Sequence, residues 1–411
     1  MRRRQGFTLV ELLVSMALIM FIMAILSQAF VAATSTFRNL KAAGDMAEKL
    51  RATTQILQRD LAADHFEGKK RLSNPNFWVN GPPEQGFFQI LQGGADTPES
   101  PAGDPSGINS FRSTNHALAF AIKLRGNQMS DFLSASTTGG GAILSGITSF
   151  GPPEARYQAT SGGSYNYQWA EVAWFMVAQP DTTIADPTTG APAQQLFTLF
   201  RRQHLLVPDN SLVPAQPAGN IAQFQEISCW ANGANLYFNS PLDITDPQRR
   251  FGGGTGAFTP IPQGQGVLSG SDIQLTDVVS FDVRLLPMLP AGTPMPLDPF
   301  VTLSQAPFTG FQNGNPGFGG VMVFDTWTSI NDGLGNSYAQ WNTPGTTNPV
   351  PATSIPLWSS NPITYNTPYP SGANSITVTG SGPIIQAIQI SIRIWDAKTN
   401  QTRQVTIVQA M

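Results

Sequence analysis

From Phe7 to Phe37 the chain carries a single charged residue, Glu11, and three arginines (Arg2, Arg3, Arg4) stand just before this run. A span of roughly 20 apolar residues crosses a bilayer as a helix. Basic residues on one flank hold that flank in the cytoplasm. This stretch constrains the chain more than any other. Residues 7–30 read as one membrane helix with its N-terminus inside, and everything after them has to fold outside, hung from that helix.

Glu11 does not suit a plain anchor. A carboxylate in an apolar span costs about 2.5–3.5 kcal/mol at the helix centre, less near an end, and normally has a partner. Gly6 sits at the junction of the basic and apolar regions, where a processing enzyme would need access. Cleavage after Gly6 would leave the amine of Phe7 about one helical turn from Glu11, facing a carboxylate of its own or a neighbouring chain. No small-residue A-x-A pattern marks an ordinary secretory signal. A twin-arginine export signal would explain the arginines but not Gly6 or Glu11.

Gly6-Phe7-Thr8-Leu9-Val10-Glu11-Leu12 resembles the prepilin-type cleavage and methylation signal of type IV pilins and type II secretion pseudopilins. The resemblance implies that a prepilin peptidase of the inner membrane removes residues 1–6 as a leader and methylates Phe7. It further implies that Glu11 assists methylation and pairs with a neighbouring pilin or pseudopilin subunit during assembly. The assembly ATPase would be an indirect partner.

Beyond the span the composition changes. The first proline is Pro75, although the chain holds 33 prolines and 39 glycines. Residues 1–71 carry a net charge of +5 and residues 72–411 a net of −8. An acidic head argues against nonspecific binding to nucleic acid or anionic lipid. Cys229 is the one cysteine, so the head has no internal disulfide and must rest on its core and its sheet ladders. Cys229 lies beside Ile227 and Trp230 and reads as buried, not reactive.

Residues 31–68 continue the helix outside the membrane. Phe37, Leu40, Gly44, Ala47, Leu50, Thr54, Leu57 and Leu61 recur at three- and four-residue steps, which is one weak apolar stripe. Gly44 marks a bend or a close contact, and Gly68 reads as the helix terminator. The basic triplet Lys69-Lys70-Arg71 reads as a solvated helix end.

Residues 69–411 read as a β-rich head. Ala117–Leu124 alternates as a half-buried strand, and Glu171–Ala178, Leu196–Leu206, Val278–Leu286 and Val321–Trp327 are further strands. Ile388–Ile394 and Arg403–Val408 form a closing hairpin. Long stretches rich in Gly, Pro, Ser, Thr and Asn separate them: 91–115, 128–166, 207–225, 240–270, 287–316 and 333–380. The fold class expected is therefore α+β, a long N-terminal helix packed on an antiparallel β-rich head with long loops.

The order of pieces is similar to the J-type minor pseudopilins. Leu57-Gln58-Arg59-Asp60-Leu61 closes the helix. EVAWF (171–175), a strand through Phe200-Arg201, LTDVVSFDVRLL (275–286) and IQISIRIWD (388–396) follow. The size and general pattern also resemble the pilin-like Verru_Chthon cassette proteins of the C type. These resemblances imply a minor subunit near a filament tip, with its head in the periplasm or at the cell surface. They assign no ligand to the loops.

The chain shows no pattern for catalysis, a cofactor or a metal. His65, His116 and His204 have no metal-ligand spacing. There is no nucleophile elbow and no Walker loop. Gly252–Gly256 fits no phosphate-binding pattern and reads as a flexible loop. Asp243, Asp246, Asp325 and Asp332 read as turn residues, since no calcium-loop pattern contains them. Trp169, Trp174 and Trp230 read as core. Trp327, Trp341 and Trp358 lie nearer loops, where exposed rings would contact a glycan or a partner, but the core reading leads for them too, because large aromatics dominate the interiors of β-rich folds. Two other readings remain open: a ligand-binding or adhesion module mounted on a pilin helix, and DNA capture, which the acidic head opposes.

Overall fold

Leu9–Ala62 is one uninterrupted helix, α1, about 80 Å long at 1.5 Å per residue. The computed structural model describes residues 8–77, 83–93, 97–98, 111–136, 164–184, 194–208, 216–217, 224, 226–232, 234–245, 247–252, 271–288, 298–303, 305, 322–326, 330–331, 337–338, 362–366, 375–379, 384–396 and 401–411. Arg2–Arg4, Gly6 and Phe7 lie outside the described residues. So do Asp246, Asp332, residues 253–256, Trp327, Trp341, Trp358 and much of the expected long loops.

The helix ends earlier than Gly68. Ala63 is already extended, because Asp64 and Phe66 turn into bridges with Lys123 and Gly86. Gly68 is left-handed (φ +63°) in the turn beyond. Gly86 (φ +78°) is where a side chain is forbidden: a Cβ there would lie 2.1 Å from the His65 carbonyl oxygen. Lys70 in the basic triplet is half-buried, 3.6 Å from Glu67 and above the Phe77 ring.

The apolar stripe divides into two parts. Met46, Leu50, Thr53, Thr54, Leu57, Asp60 and Leu61 are buried. Phe37 and Leu40 are 71% and 68% exposed, and a Cβ on Gly44 would meet nothing within 4 Å. Gly44 therefore makes no close contact within the chain, and the helix runs through it unbroken. The head meets α1 from about Ala43 onward, so Phe37 and Leu40 at the foot of the stripe lie below it.

Eight strands form one antiparallel sheet. They are β1 (Phe88–Gln92), β2 (His116–Lys123), β3 (Trp169–Ile184), β4 (Gln194–Leu205), β5 (Ser271–Pro287), β6 (Met322–Asp325), β7 (Ile385–Asp396) and β8 (Gln401–Ala410). Their spatial order is β6-β1-β2-β3-β4-β5-β7-β8. Strand β1 carries no alternation signal because both faces are buried. Its glutamines are consumed internally: Gln89 donates to Asp325 and Gln92 to the Val283 carbonyl.

Strand β2 is buried on both faces through Ile122, not half-buried. On one face Leu118, Phe120, Val172, Trp174 and Leu199 pack with Leu50, Leu57 and Leu61 of α1. On the other, Ala117, Ala119, Ala121, Ala173 and Phe175 pack beneath Ile244 and Phe251. Residues 240–252 thus form a second layer of tight helical turns, not a free loop, as far as they are described.

Asp60 fixes the helix to the sheet. It is 4% exposed and accepts a two-pronged contact from Arg201, with Nε to Oδ2 at 2.7 Å and Nη2 to Oδ1 at 2.9 Å. Trp174 Nε1 donates to the same Oδ2 at 2.9 Å. Trp174 and Arg201 are direct cross-strand partners on β3 and β4. Next to this clamp, both ring nitrogens of His65 face carbonyls, Ala121 at 2.7 Å and Leu61 at 3.2 Å.

Two outcomes are expected in unfolding of the solubilised full chain. Arg201→Met should lower stability by about 3–5 kcal/mol, because it strands a buried carboxylate. The pair Asp60→Leu with Arg201→Met should recover much of that loss. The second concerns pH. Burial holds His65 below its ordinary value, while the Ala121 and Leu61 carbonyls, Asp64 and Asp60 oppose the shift. The native state therefore binds fewer protons than the unfolded one. The His65 contribution is complete above about pH 6.5 and is lost as pH falls through the lower native value. The difference in unfolding midpoint between pH 7.5 and pH 5 should shrink in His65→Gln.

Candidate functional site

Of the residues singled out at the N-terminus, Glu11 is described, on the first turn of α1. The Thr8 side chain and Glu11 form a reciprocal capping box. Glu11 Oε2 accepts from the Thr8 backbone N–H and from Thr8 Oγ1, both at 2.9 Å. Glu11 N–H donates back to Thr8 Oγ1 at 3.3 Å. Such a box satisfies backbone donors that a helix start leaves open, and the helix dipole favours a carboxylate at this end. The single chain thereby holds its one intramembrane charge at the helix tip. An anion in that place can receive an amine.

From Leu9 through Leu40 the large apolar side chains of α1 lie open, Phe21 and Phe30 being 64% and 74% exposed. α1 is the one helix among the described residues that is long and apolar enough to cross a membrane. Ser15, Thr34, Ser35 and Thr36 turn their hydroxyls back onto carbonyls of the same helix. Ser15, within the span, is thus satisfied by its own helix, as an apolar solvent requires, and Thr34, Ser35 and Thr36 repeat the pattern just beyond it.

The head brings together polar residues that are far apart in sequence. Glu171, Arg202, His204 and Ser228 are fully buried on the sheet face away from α1. Glu171 Oε1 accepts from Ser228 Oγ at 2.8 Å and the Phe251 N–H at 3.0 Å, with His204 Nδ1 at 3.3 Å. Arg202 Nε donates to His204 Nε2 at 3.0 Å. The hydroxyl is bonded to the carboxylate and the imidazole to a guanidinium. Solvent does not reach the group. Its physical role is to tie the turn at Phe251, itself at φ +52°, onto β3 and β4. The sequence trace of this group is a lone Glu171 in an otherwise apolar run and the consecutive polar residues Arg201 to His204 inside a strand.

The remaining candidates are structural. Cys229 is fully buried, and that burial, with Glu171 nearby, raises its thiol well above the usual range. His116 Nδ1 accepts from the Val283 N–H at 3.1 Å. Asp243 caps the turn at Ser240 and pairs with Arg249. Asp325 is not a turn residue. It lies at the end of β6, buried, with Arg250 at 2.7 Å. Trp169 and Trp174 are core, while Trp230 is half-buried under the Arg249 guanidinium. Among the described residues no group of three or more His, Cys, Asp or Glu is placed to hold a metal ion.

No curated protein and no solved structure matches the chain. Residues 1–27 match the family model described as the prokaryotic N-terminal methylation motif. That match takes in Gly6, Phe7, Glu11 and most of the apolar run. The N-terminus is therefore a prepilin-type signal leading into a single-pass membrane helix, as in type IV pilin-like subunits generally.

Proposed function

We propose that the chain is a minor pilin or pseudopilin subunit of a type IV pilus or a type II secretion-like filament. One observation carries this reading: a prepilin-type motif opens a helix whose apolar surface is exposed from Leu9 to Leu40, with Glu11 capping its tip. Prepilin peptidase cuts after Gly6 and methylates Phe7. Residues 7–30 lie in the inner membrane, residues 31–68 continue outward and residues 69–411 form the periplasmic head. On extraction into a filament, lipid around α1 is replaced by neighbouring helices, and Glu11 exchanges its contact with Thr8 for a neighbour's amine. A head of this size crowds a tightly packed shaft, which favours a tip position, as does the J-type resemblance. The chain performs no catalysis in this role and needs no cofactor.

The mass of the N-terminal peptide from native membranes tests the reading. A peptide beginning at N-methyl-Phe7 is the expected result. A peptide retaining Arg2–Gly6 would reduce the segment to a simple anchor. Gly6→Ala should keep the leader attached and leave the protein in the membrane. Glu11→Val should give a stable membrane protein whose incorporation into filaments, read by immunoblot of the sheared fraction, falls at least tenfold.

A further inference from the structure

Strand β8 ends the sheet, and among the described residues it pairs with β7 alone. Met411 N–H donates to the Gln386 carbonyl at 3.0 Å, and the register continues without a shift from Ala387–Ala410 to Asp396–Gln401. In an antiparallel ladder residues alternate between bonding their partner and pointing away. The odd positions of β8 therefore bond β7. Thr402, Gln404, Thr406, Val408 and Ala410 direct their N–H and C=O groups to the open edge.

Exposed edges are normally blunted by proline, a bulge, shortness or an outward charge. Gln401–Ala410 has no proline or glycine, and its one charged residue is Arg403. That charge is turned away, since Arg403 Nη1 donates to the Ala43 carbonyl of α1 at 3.0 Å. At the far end Met411 and Leu61 border the same hollow. Eight strand residues and eighteen helix residues each rise about 27 Å, so β8 runs alongside α1, away from the membrane.

The helix supplies the other wall. Thr53 contacts the Gln274 carbonyl on β5, and Asp60 contacts Arg201 on β4; these positions mark the inner flank of α1. At about 100° per residue, Leu40, Gly44 and Ala47 fall on the opposite flank at the lower end of the open edge, with Phe37 at its foot, and exposed Arg51 and Gln58 continue that flank above them. Phe37 and Leu40 are exposed apolar residues, and Gly44 opens onto free space.

We infer that the β8 edge, with the apolar foot of this helix flank beside it, receives an extended segment of a neighbouring subunit that pairs antiparallel with β8 and is apolar where it passes Leu40 and Phe37. Backbone groups on the edge specify a strand. The foot of the helix flank, Phe37 and Leu40, specifies apolar side chains at the added segment's membrane-proximal end, and Arg51 and Gln58 match polar ones above it. Thr402, Gln404 and Thr406, on the outer face of β8, match polar ones on the segment's outer face. A second copy's β8 is excluded as the occupant. Antiparallel pairing of two β8 strands by a twofold axis would invert one membrane helix. The added chain must run back toward the membrane. Naming the donor a subunit rests on the filament reading above, but leader processing and strand addition are read by separate assays and fail separately.

The test uses the full chain in native membranes, with photoreactive benzoylphenylalanine in place of Gln404. The expected result is an adduct to one continuous stretch of a different chain. Thr406→Pro removes an outward N–H without touching the β7 ladder and should cut the adduct at least tenfold, whereas Thr406→Val should not. Leu40→Lys, on an exposed position outside the head core, should reduce it similarly and covers the case in which the proline variant fails to fold. Absence of an adduct, a yield unchanged by both Leu40→Lys and Thr406→Pro, or an adduct to residues 401–410 of a second copy would each overturn the inference.

Discussion

The buried contact of Asp60 with Arg201 and Trp174 is the constraint on which the rest depends. A helix about 80 Å long has little reason to stop against a sheet at one height and rotation, because leucine contacts tolerate sliding. A carboxylate held by two guanidinium nitrogens and an indole N–H does not. The clamp sets the register of α1 over β3 and β4, and so decides which residues of the stripe are covered and which remain open. Buried pairs of this kind add little net stability but are costly to break. Their value here is geometric.

With the helix set on one face, the other face of the sheet needs its own cover. The turns of residues 240–252 supply it, through Ile244 and Phe251 in the core and through Arg250 on Asp325 and the Phe251 N–H on Glu171. Burial of ion pairs and of Glu171 is tolerable because their acceptors are satisfied several times over. A head without a disulfide thus gains two cores on one sheet, and the central strands are shielded from both sides.

The membrane end follows a different logic. Glu11 is kept in the apolar span by bonding to its own helix start, a contact that an amine can replace. The helix below the head is left bare from Leu9 to Leu40. Lipid covers the lower part of that surface, but Phe37 and Leu40 lie past the span. An open strand edge stands next to them, so the surfaces that this chain leaves unsatisfied cluster along one side of the helix.

The N-terminal signal, the helix and its approximate end, and seven of the eight strands were legible from local pattern, because leader chemistry, apolar runs and alternation are written within a few residues. The α+β class followed from them. What local pattern missed shares one cause. Phe88–Gln92 shows no alternation because both its faces are buried, and β2 reads as half-buried because alanines line its second face. The roles of Asp325, Glu171 and Arg202 depend on partners distant in sequence. Asp60, Trp174 and Arg201 lay within the pieces that resembled a J-type protein, but their meeting at one carboxylate was not visible in them. The sequence by itself determined that the chain is mounted on a membrane helix with a carboxylate near its tip, since hydrophobic length and charge act locally. The tertiary structure alone decided which parts of that helix and sheet stay uncovered, because burial belongs to pairs of surfaces and not to either one.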